Sequence, residues 1–474
     1  MTVARTFPQD RPGPPGRPGR LDRLSRAGVA GGVRWDLVMV ALAGSLLTLV
    51  WRLQDLFPIL AQIQTPTLAS VGALMSYVVT KERSRQLKTI RHPITTLAIG
   101  IFVWMLFSIP GGVYPGLSFG FIFKDFIKTL LMFIIIAASI RSVLDAERLV
   151  KVHIAGCMIY ALYVLAKVQI GSDGRFGELF YYDANGLGLI LATTLPLVVF
   201  YTRPGVALRW RLAAVAACGI IVLTLMKTGS RGAFLALLAT GLFLLFGFRA
   251  IPTKIRVGSI AIVAVLFLAV GSDKYWEMMG TLLHPENDYN WSGKNETGRM
   301  EVWKRGIGYT MAYPLFGVGA DAFPIAEGTI SPLADRQSVG IGVKWSAAHN
   351  SFVQIAAELG VPGFVMFLLI LYHIFKTLAI VARRARQPGG RGGGDPGTHI
   401  EDAALAQVLM ASTVAYMVAG FFLSEAYSPF LFSLMGIVVG LSKAYTGPAT
   451  AGAPAPGQGR PSAGWRAARM LPPQ

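Results

Sequence analysis

Ala348-His349-Asn350-Ser351, followed by FVQIAAELGVPGF over 352–364, closes a long polar segment and opens a strongly apolar one that runs on through VMFLLILY. One histidine therefore stands where water meets hydrocarbon. An imidazole titrates near neutral pH, and at such a boundary it lies alongside any substrate carried in lipid.

The rest of the chain has the same apolar character. Of 474 residues, 53% are hydrophobic and 15% charged, and the mean hydropathy is +0.52. These values exclude a water-soluble globule built on one core and indicate an all-α, polytopic membrane protein. Apolar runs of about 17–25 residues match a hydrocarbon layer roughly 30 Å thick, and helices satisfy their own backbone inside it. The alternation of a membrane barrel is not present in these runs.

Spans are expected near 36–53, 56–80, 93–110, 119–140, 149–169, 185–202, 211–227, 231–249, 257–272, 357–379, 403–424 and 428–444. About twelve transmembrane helices follow from these runs, the second interrupted by Gln62, Gln64 and Pro66. Around them the chain divides into a disordered basic cytoplasmic arm (1–35), helices one to nine (36–272), one large outer loop (273–356), helices ten to twelve (357–444) and a disordered tail (445–474). The arm is rich in Arg, Pro and Gly and lacks the apolar core of a cleaved signal.

The net charge of +19 does not indicate nucleic acid, because Lys and Arg fall in the tails and in alternate links. KERSRQLKTIRH (81–92) is basic, as are the links holding Arg141 and Arg148, Arg203 and Arg209, Arg249 and Arg256, and Arg383 and Arg384. By the positive-inside rule these links and both termini are cytoplasmic. GGVYPG (111–116), SDGRFGELFYYDA (172–184), the tight turn after Lys227 and the long 273–356 loop then face outward. The two cysteines, Cys157 and Cys218, lie inside apolar runs, so neither a disulfide nor a cysteine metal site is expected. No His/Cys/Asp cluster with metal spacing and no nucleotide-binding glycine loop occurs, so no cofactor is expected.

Inside the outer loop, Thr297-Gly298-Arg299-Met300-Glu301 reads as a helix start. Met300, Trp303, Ile307 and Met311 then recur on one face, the pattern of a short amphipathic helix lying on the membrane. Pro314-Leu315-Phe316-Gly317-Val318-Gly319 breaks that helix and is expected to return the chain to the surface.

Three cations on the outward side are candidates for holding an anion. Arg231 sits in Lys227-Thr228-Gly229-Ser230-Arg231-Gly232, where small neighbours are expected to leave backbone N–H groups open beside the guanidinium, an arrangement suited to pyrophosphate. Arg299 shares a helix face with Trp303, pairing a forked donor with an aromatic wall for sugar or lipid. Lys128 lies inside the fourth span and must snorkel or pair. Asp183 and Asn185 cap the sixth span, and Glu425 closes the eleventh as a partner for an arginine or for the acceptor.

His349-Asn350, nine further residues, Gly360, two residues and Gly363 is similar to His-(Asn/Ser/Gln)-x9-Gly-x-x-(Gly/Thr/Tyr), the pattern of the O-antigen ligase family, which is grouped with O-antigen polymerases and bacterial O-oligosaccharyltransferases. Ser230-Arg231-Gly232 after a span, and Arg299-x-x-x-Trp303 leading to Pro314–Gly319 and Phe323, resemble that family's earlier landmarks. The resemblance implies a metal-independent, inverting glycosyl transfer at the outer face of the bacterial inner membrane. The donor would be an undecaprenyl-pyrophosphate-linked glycan, and the acceptor a hydroxyl of another glycan or of lipid A-core. His349 would be the general base, Arg231 and Arg299 would stabilise the departing pyrophosphate, and Trp303, Lys128, Asn350, Asp183 and Glu425 would contact substrates. A polysaccharide polymerase of the same superfamily, or a non-catalytic transporter or flippase of lipid-linked glycan, are the alternatives. On the first reading Arg231, Arg299 and His349 must converge over one pocket.

Overall fold

The computed structural model describes residues 35–171, 175–177, 182–249, 251–386 and 396–446. The basic arm up to residue 34 and the tail beyond residue 446 lie outside them. The regular elements of the described residues are helical, and the one β feature is an isolated antiparallel bridge between Ile170 and Phe176.

In chain order the helices are α1 (Leu37–Val50), α2 (Thr65–Val79), α3 (Pro93–Ser108), α4 (Pro115–Phe121, Ile122–Phe126 and Ile127–Ser139 in unbroken succession) and α5 (Val143–Lys167). Then come α6 (Ala184–Val199), α7 (Leu208–Thr228), α8 (Arg231–Gly247), α9 (Thr253–Val270), α10 (Asp273–Gly280), α11 (Arg299–Ala312) and α12 (Phe323–Thr329). The series ends with α13 (Ser351–Ala385), α14 (Pro396–Gly420) and α15 (Pro429–Thr446).

A helix thus lies within each of the twelve apolar runs. Among the described residues five, in α5, α6, α7, α13 and α14, are long and apolar enough on their own to cross a membrane, and α9 with α10, bent by 113°, make a sixth if counted together. The helices of α1, α2, α3, α8 and α15 are apolar but shorter. The second run is broken in two: a short helix, Pro58–Gln62, precedes α2, Gln64 between them takes a left-handed conformation at φ 48, and Pro66 falls in the first turn of α2, where its missing N–H costs nothing.

α14 is the hub, packing on α6, α8 and α13, while α15 lies on α4 and α13 also on α3. From Gly186 to Val198 every residue of α6 is buried, as expected of a helix apolar on all sides. A Cβ on Gly188 would come within 2.7 Å of that of Ala233, so glycine lets α6 and α8 approach closely. At the end of the bundle away from the long loop, Asp36 pairs with Arg85 (2.5 Å) and Arg141 (2.8 Å), and the fully buried Asp145 holds Arg141 and Arg148. These ion pairs tie α1, α4 and α5 to the basic link before α3.

The glycine pattern of the opening stretch has a specific cause. Within α13, Gly360 adopts φ 68 and ψ −170, breaking the helix one third of the way along. A break leaves carbonyls and N–H groups without helical partners, and in apolar surroundings they need others. The segment after α11 provides them: Val318 N donates to Ala357 O (2.8 Å), Gly319 N to Glu358 O (3.1 Å), and Val361 N to Pro314 O (2.8 Å). Trp104 of α3 seals the seam by donating to Leu359 O at 3.0 Å. Pro314–Phe316 stays at the surface as expected, with Leu315 59% exposed, and the chain then turns inward from Gly317, so that Val318 and the following Ala320 and Ala322 are fully buried.

Gly360→Ala meets both the positive φ and Leu315 O, which lies 2.4 Å from the new Cβ. It should lower stability by about 2–4 kcal/mol, the strain of a left-handed alanine plus displaced backbone, measured as detergent-solubilised thermal unfolding. Wild-type melting in this variant would mean that the break is not held by the loop.

Candidate active site

Asn350 forms the N-cap of α13, its Oδ1 accepting from Phe352 N (2.9 Å) and Val353 N (3.1 Å). With two orphan donors satisfied, the helix starts sharply, and the preceding His349 is left in the left-handed region at φ 48. Such a conformation persists in a histidine only when its surroundings fix it. Here they do: His349 N donates to Ser424 Oγ (2.8 Å), and Trp303 Nε1 donates to Ala348 O (3.0 Å). Ser351 Oγ bridges Leu423 O (2.8 Å) and Glu425 N (3.0 Å), clamping the turn to the link between α14 and α15.

The imidazole is half-buried. Burial, the positive charge of Arg299 and that of Lys344 push its pKa down to about 4, against a smaller opposing pull from Asp183. At neutral pH it is uncharged and holds a lone pair for a proton.

A cavity of about 320 Å³ has a lining that includes Arg175, Arg231, Arg299 and Leu423, the last bonded to Ser351 of the His349 turn; His349 itself is not among the lining residues. The cavity floor is the turn between α7 and α8. Gly229 caps α7 in the left-handed region, its N–H bonded to Met226 O (3.0 Å), and Ser230 caps α8 through Ala233 N (3.3 Å). Ser230 N donates to Thr228 Oγ1 at 3.2 Å. Of the amides expected to be open, those of Gly229 and Ser230 are taken, whereas that of Gly232, in the first turn of α8 and in the cavity lining, has no acceptor among the described residues.

Arg231 is itself engaged. Its Nη1 donates to Thr281 Oγ1 (2.7 Å) at the end of α10, and it forms an ion pair with the buried Asp288. Arg299, the first residue of α11, differs. Half-buried, it has neither a hydrogen bond nor an ion pair to another described residue, and only Asp183 and Tyr289 act on it favourably through space. Burial and the charge of Arg175 hold its pKa below the usual arginine value. A desolvated guanidinium without a partner is costly, and an anionic ligand would relieve it.

The site residues expected from the sequence sort as follows. Arg231 and Arg299 line one cavity; His349 does not line it and is linked to it by its electrostatic coupling to Arg299 and Asp183. Asp183 caps α6 through Gly186 N (2.6 Å). Trp303 supports Ala348 and packs edge-on against Trp291 and Phe421, ring centroids 5.2 and 5.1 Å away. Three candidates have other occupations. Asn350 is buried and committed to its cap, and Lys128 pairs with Asp125 (3.2 Å) outside the cavity lining. Glu425 has no arginine beside it among the described residues; its side chain bonds Ser428, and burial with the nearby charge of Asp183 pushes its pKa up to about 7.

On α11 the capping position is Gly298, and Ile307 and Met311 remain exposed as an apolar stripe, while Val302, Gly306 and Tyr309 face inward. Arg175, Thr281, Asp288 and Tyr289 went unnoticed in the sequence. The one local hint was an arginine between two glycines, Gly174 and Gly177, a few residues before the Asp183 cap.

Residues 213–368, from α7 into α13, match the family model described as O-antigen ligase. No curated protein matches the chain.

Proposed function

We propose that the protein is an inner-membrane glycosyltransferase that moves an undecaprenyl-pyrophosphate-linked glycan to an acceptor hydroxyl at the outward, long-loop end of a twelve-span bundle, with both termini cytoplasmic. The observation that carries this is a half-buried Arg299 that has no hydrogen-bond or ion-pair partner among the described residues, lies in an arginine-lined cavity and is electrostatically coupled to a neutral His349. The match of residues 213–368 to the O-antigen ligase model supports transfer of a lipid-linked glycan.

In the reaction the acceptor oxygen attacks the anomeric carbon from the face opposite the phosphate, and its proton passes to the His349 imidazole. The bond between that carbon and the phosphate oxygen breaks, and the electron pair leaves with the lipid pyrophosphate. Charge on the pyrophosphate grows as the bond breaks, so guanidiniums fixed in a partly dry cavity stabilise the transition state more than the ground state. The proton on His349 is then released to water.

Arg231→Lys keeps the charge but cannot hold Thr281 and Asp288 together while facing the cavity. Turnover should fall by roughly tenfold, about 1.4 kcal/mol, in purified protein given donor and acceptor. Unchanged turnover would reduce Arg231 to a structural tie between α8 and α10. Deleting the gene identifies the acceptor: loss of long-chain lipopolysaccharide indicates a ligase to lipid A-core, and loss of a secreted polysaccharide indicates a polymerase. Unaltered glycans of every class would remove the transferase reading.

A further inference from the structure

The segment between α5 and α6 delivers a third arginine to the same cavity. Backbone bonds seat it: Gly171 N donates to Arg175 O (2.7 Å), Gly177 N to Gln169 O (2.9 Å), and Phe176 N to Lys227 O (3.0 Å) at the end of α7. The Arg175 side chain then lies across the turn between α7 and α8. Its Nε donates to Thr228 O (2.8 Å), and its Nη2 reaches Asn185 Oδ1 (3.5 Å). Gly229 is required for this course, because a Cβ there would stand 2.7 Å from Arg175 Cγ at a φ of +59.

We propose that Arg175 is a donor-binding residue, contacting the diphosphate together with Arg231 and Arg299; only the identity of that donor rests on the glycosyl-transfer reading. Pinning the segment does not need a cation, since three backbone bonds already do it and a carbonyl accepts equally well from a neutral amide. Yet the charge is placed where it repels: Arg175 acts unfavourably on both Arg231 and Arg299. Three guanidiniums, those of Arg175, Arg231 and Arg299, line the one cavity. Gathering like charges in a half-dry cavity is unfavourable unless an anion joins them.

The test uses full-length protein in nanodiscs with inorganic pyrophosphate as the probe. Arg175→Gln should weaken pyrophosphate binding about tenfold or more and raise the donor KM, leaving the acceptor KM unchanged. Arg175→Lys should recover part of the affinity. Gly229→Ala, which displaces the arginine without removing it, should weaken binding as well. Wild-type affinity in Arg175→Gln overturns the assignment, even if its melting temperature falls, because that pattern marks a purely structural tie. Should neither Arg175 variant fold, the wild-type protein decides the matter. Pyrophosphate should protect Arg175 from phenylglyoxal, read by peptide mass, and equal modification with and without pyrophosphate overturns the proposal. The two readings fail separately: wild-type protein that binds pyrophosphate through Arg175 but transfers no glycan defeats the transferase reading alone. Transfer that is indifferent to Arg175→Gln defeats only this one.

Discussion

Replacing His349 by asparagine should lower the turnover of lipid-linked glycan transfer by about 10²–10⁴-fold, the usual worth of a positioned general base. Asparagine is the informative replacement because it tolerates the left-handed backbone that His349 adopts at φ 48. The bonds that hold the turn, from His349 N to Ser424 and from Trp303 to Ala348 O, do not involve the imidazole, so melting should stay within a few degrees of wild type. Undiminished turnover would remove His349 as the base.

The pH dependence has a defined sign. With its pKa held at about 4, the imidazole of the free protein stays neutral from pH 7 down through the ordinary histidine range, so kcat/KM should show no acid limb near 6.5. A bound diphosphate offsets the charge of Arg299 and Lys344 and raises the basicity of the imidazole. The acid limb of kcat should therefore sit at higher pH than that of kcat/KM. The same depression bears on folding: the contribution of His349 to stability is fully present above 6.5 and is lost as pH falls toward about 4. In the asparagine variant that part of the acid sensitivity should be gone from thermal melts collected between pH 7 and pH 4.

How much of this was legible in the sequence depends on the range of the interaction. The apolar runs, the Asp183 cap of α6 and the start of α11 at Arg299 are local features, set by composition and by hydrogen bonds spanning three or four residues. The break at Gly360 is different. Its glycine is visible, but the meaning of that glycine lies in the Pro314–Gly319 segment, more than forty residues earlier, whose N–H groups serve the carbonyls it frees. Amphipathic periodicity gives no account of such a pairing: the exposure of Pro314–Phe316 is legible in the sequence, and the burial of Gly317–Gly319 against α13 is not. Charge partners are equally nonlocal. Nothing near Arg231 announces Asp288, and nothing near Gly229 announces Arg175, so a turn that looked like a bare anion nest proved to be roofed by one arginine and tied by another. Asn350 illustrates the converse. Its place beside the histidine suggested a substrate contact, whereas its position one residue before an apolar helix already specified a cap.

Arg299→Gln should cost about 10²–10³ in kcat, the loss typical of one donor aimed at developing charge. The expectation is larger than for Arg231→Lys because the two guanidiniums start from different states. Arg231 is already neutralised by Asp288 and anchored to Thr281, so a ligand gains only part of its fork. Arg299 has no such partner among the described residues, and its full interaction is available to the leaving group. Because that interaction strengthens as the sugar–phosphate bond breaks, the loss should fall mainly on kcat, with a smaller rise in the donor KM. A raised KM at unchanged kcat would instead assign Arg299 to ground-state binding. A second signature is independent of rate: Arg299 is one of the charges depressing His349, so its removal should raise the pKa of the imidazole above about 4. The acid limb of kcat/KM should then move to higher pH in Arg299→Gln, and a limb that does not move would show that the guanidinium and the imidazole do not share one site.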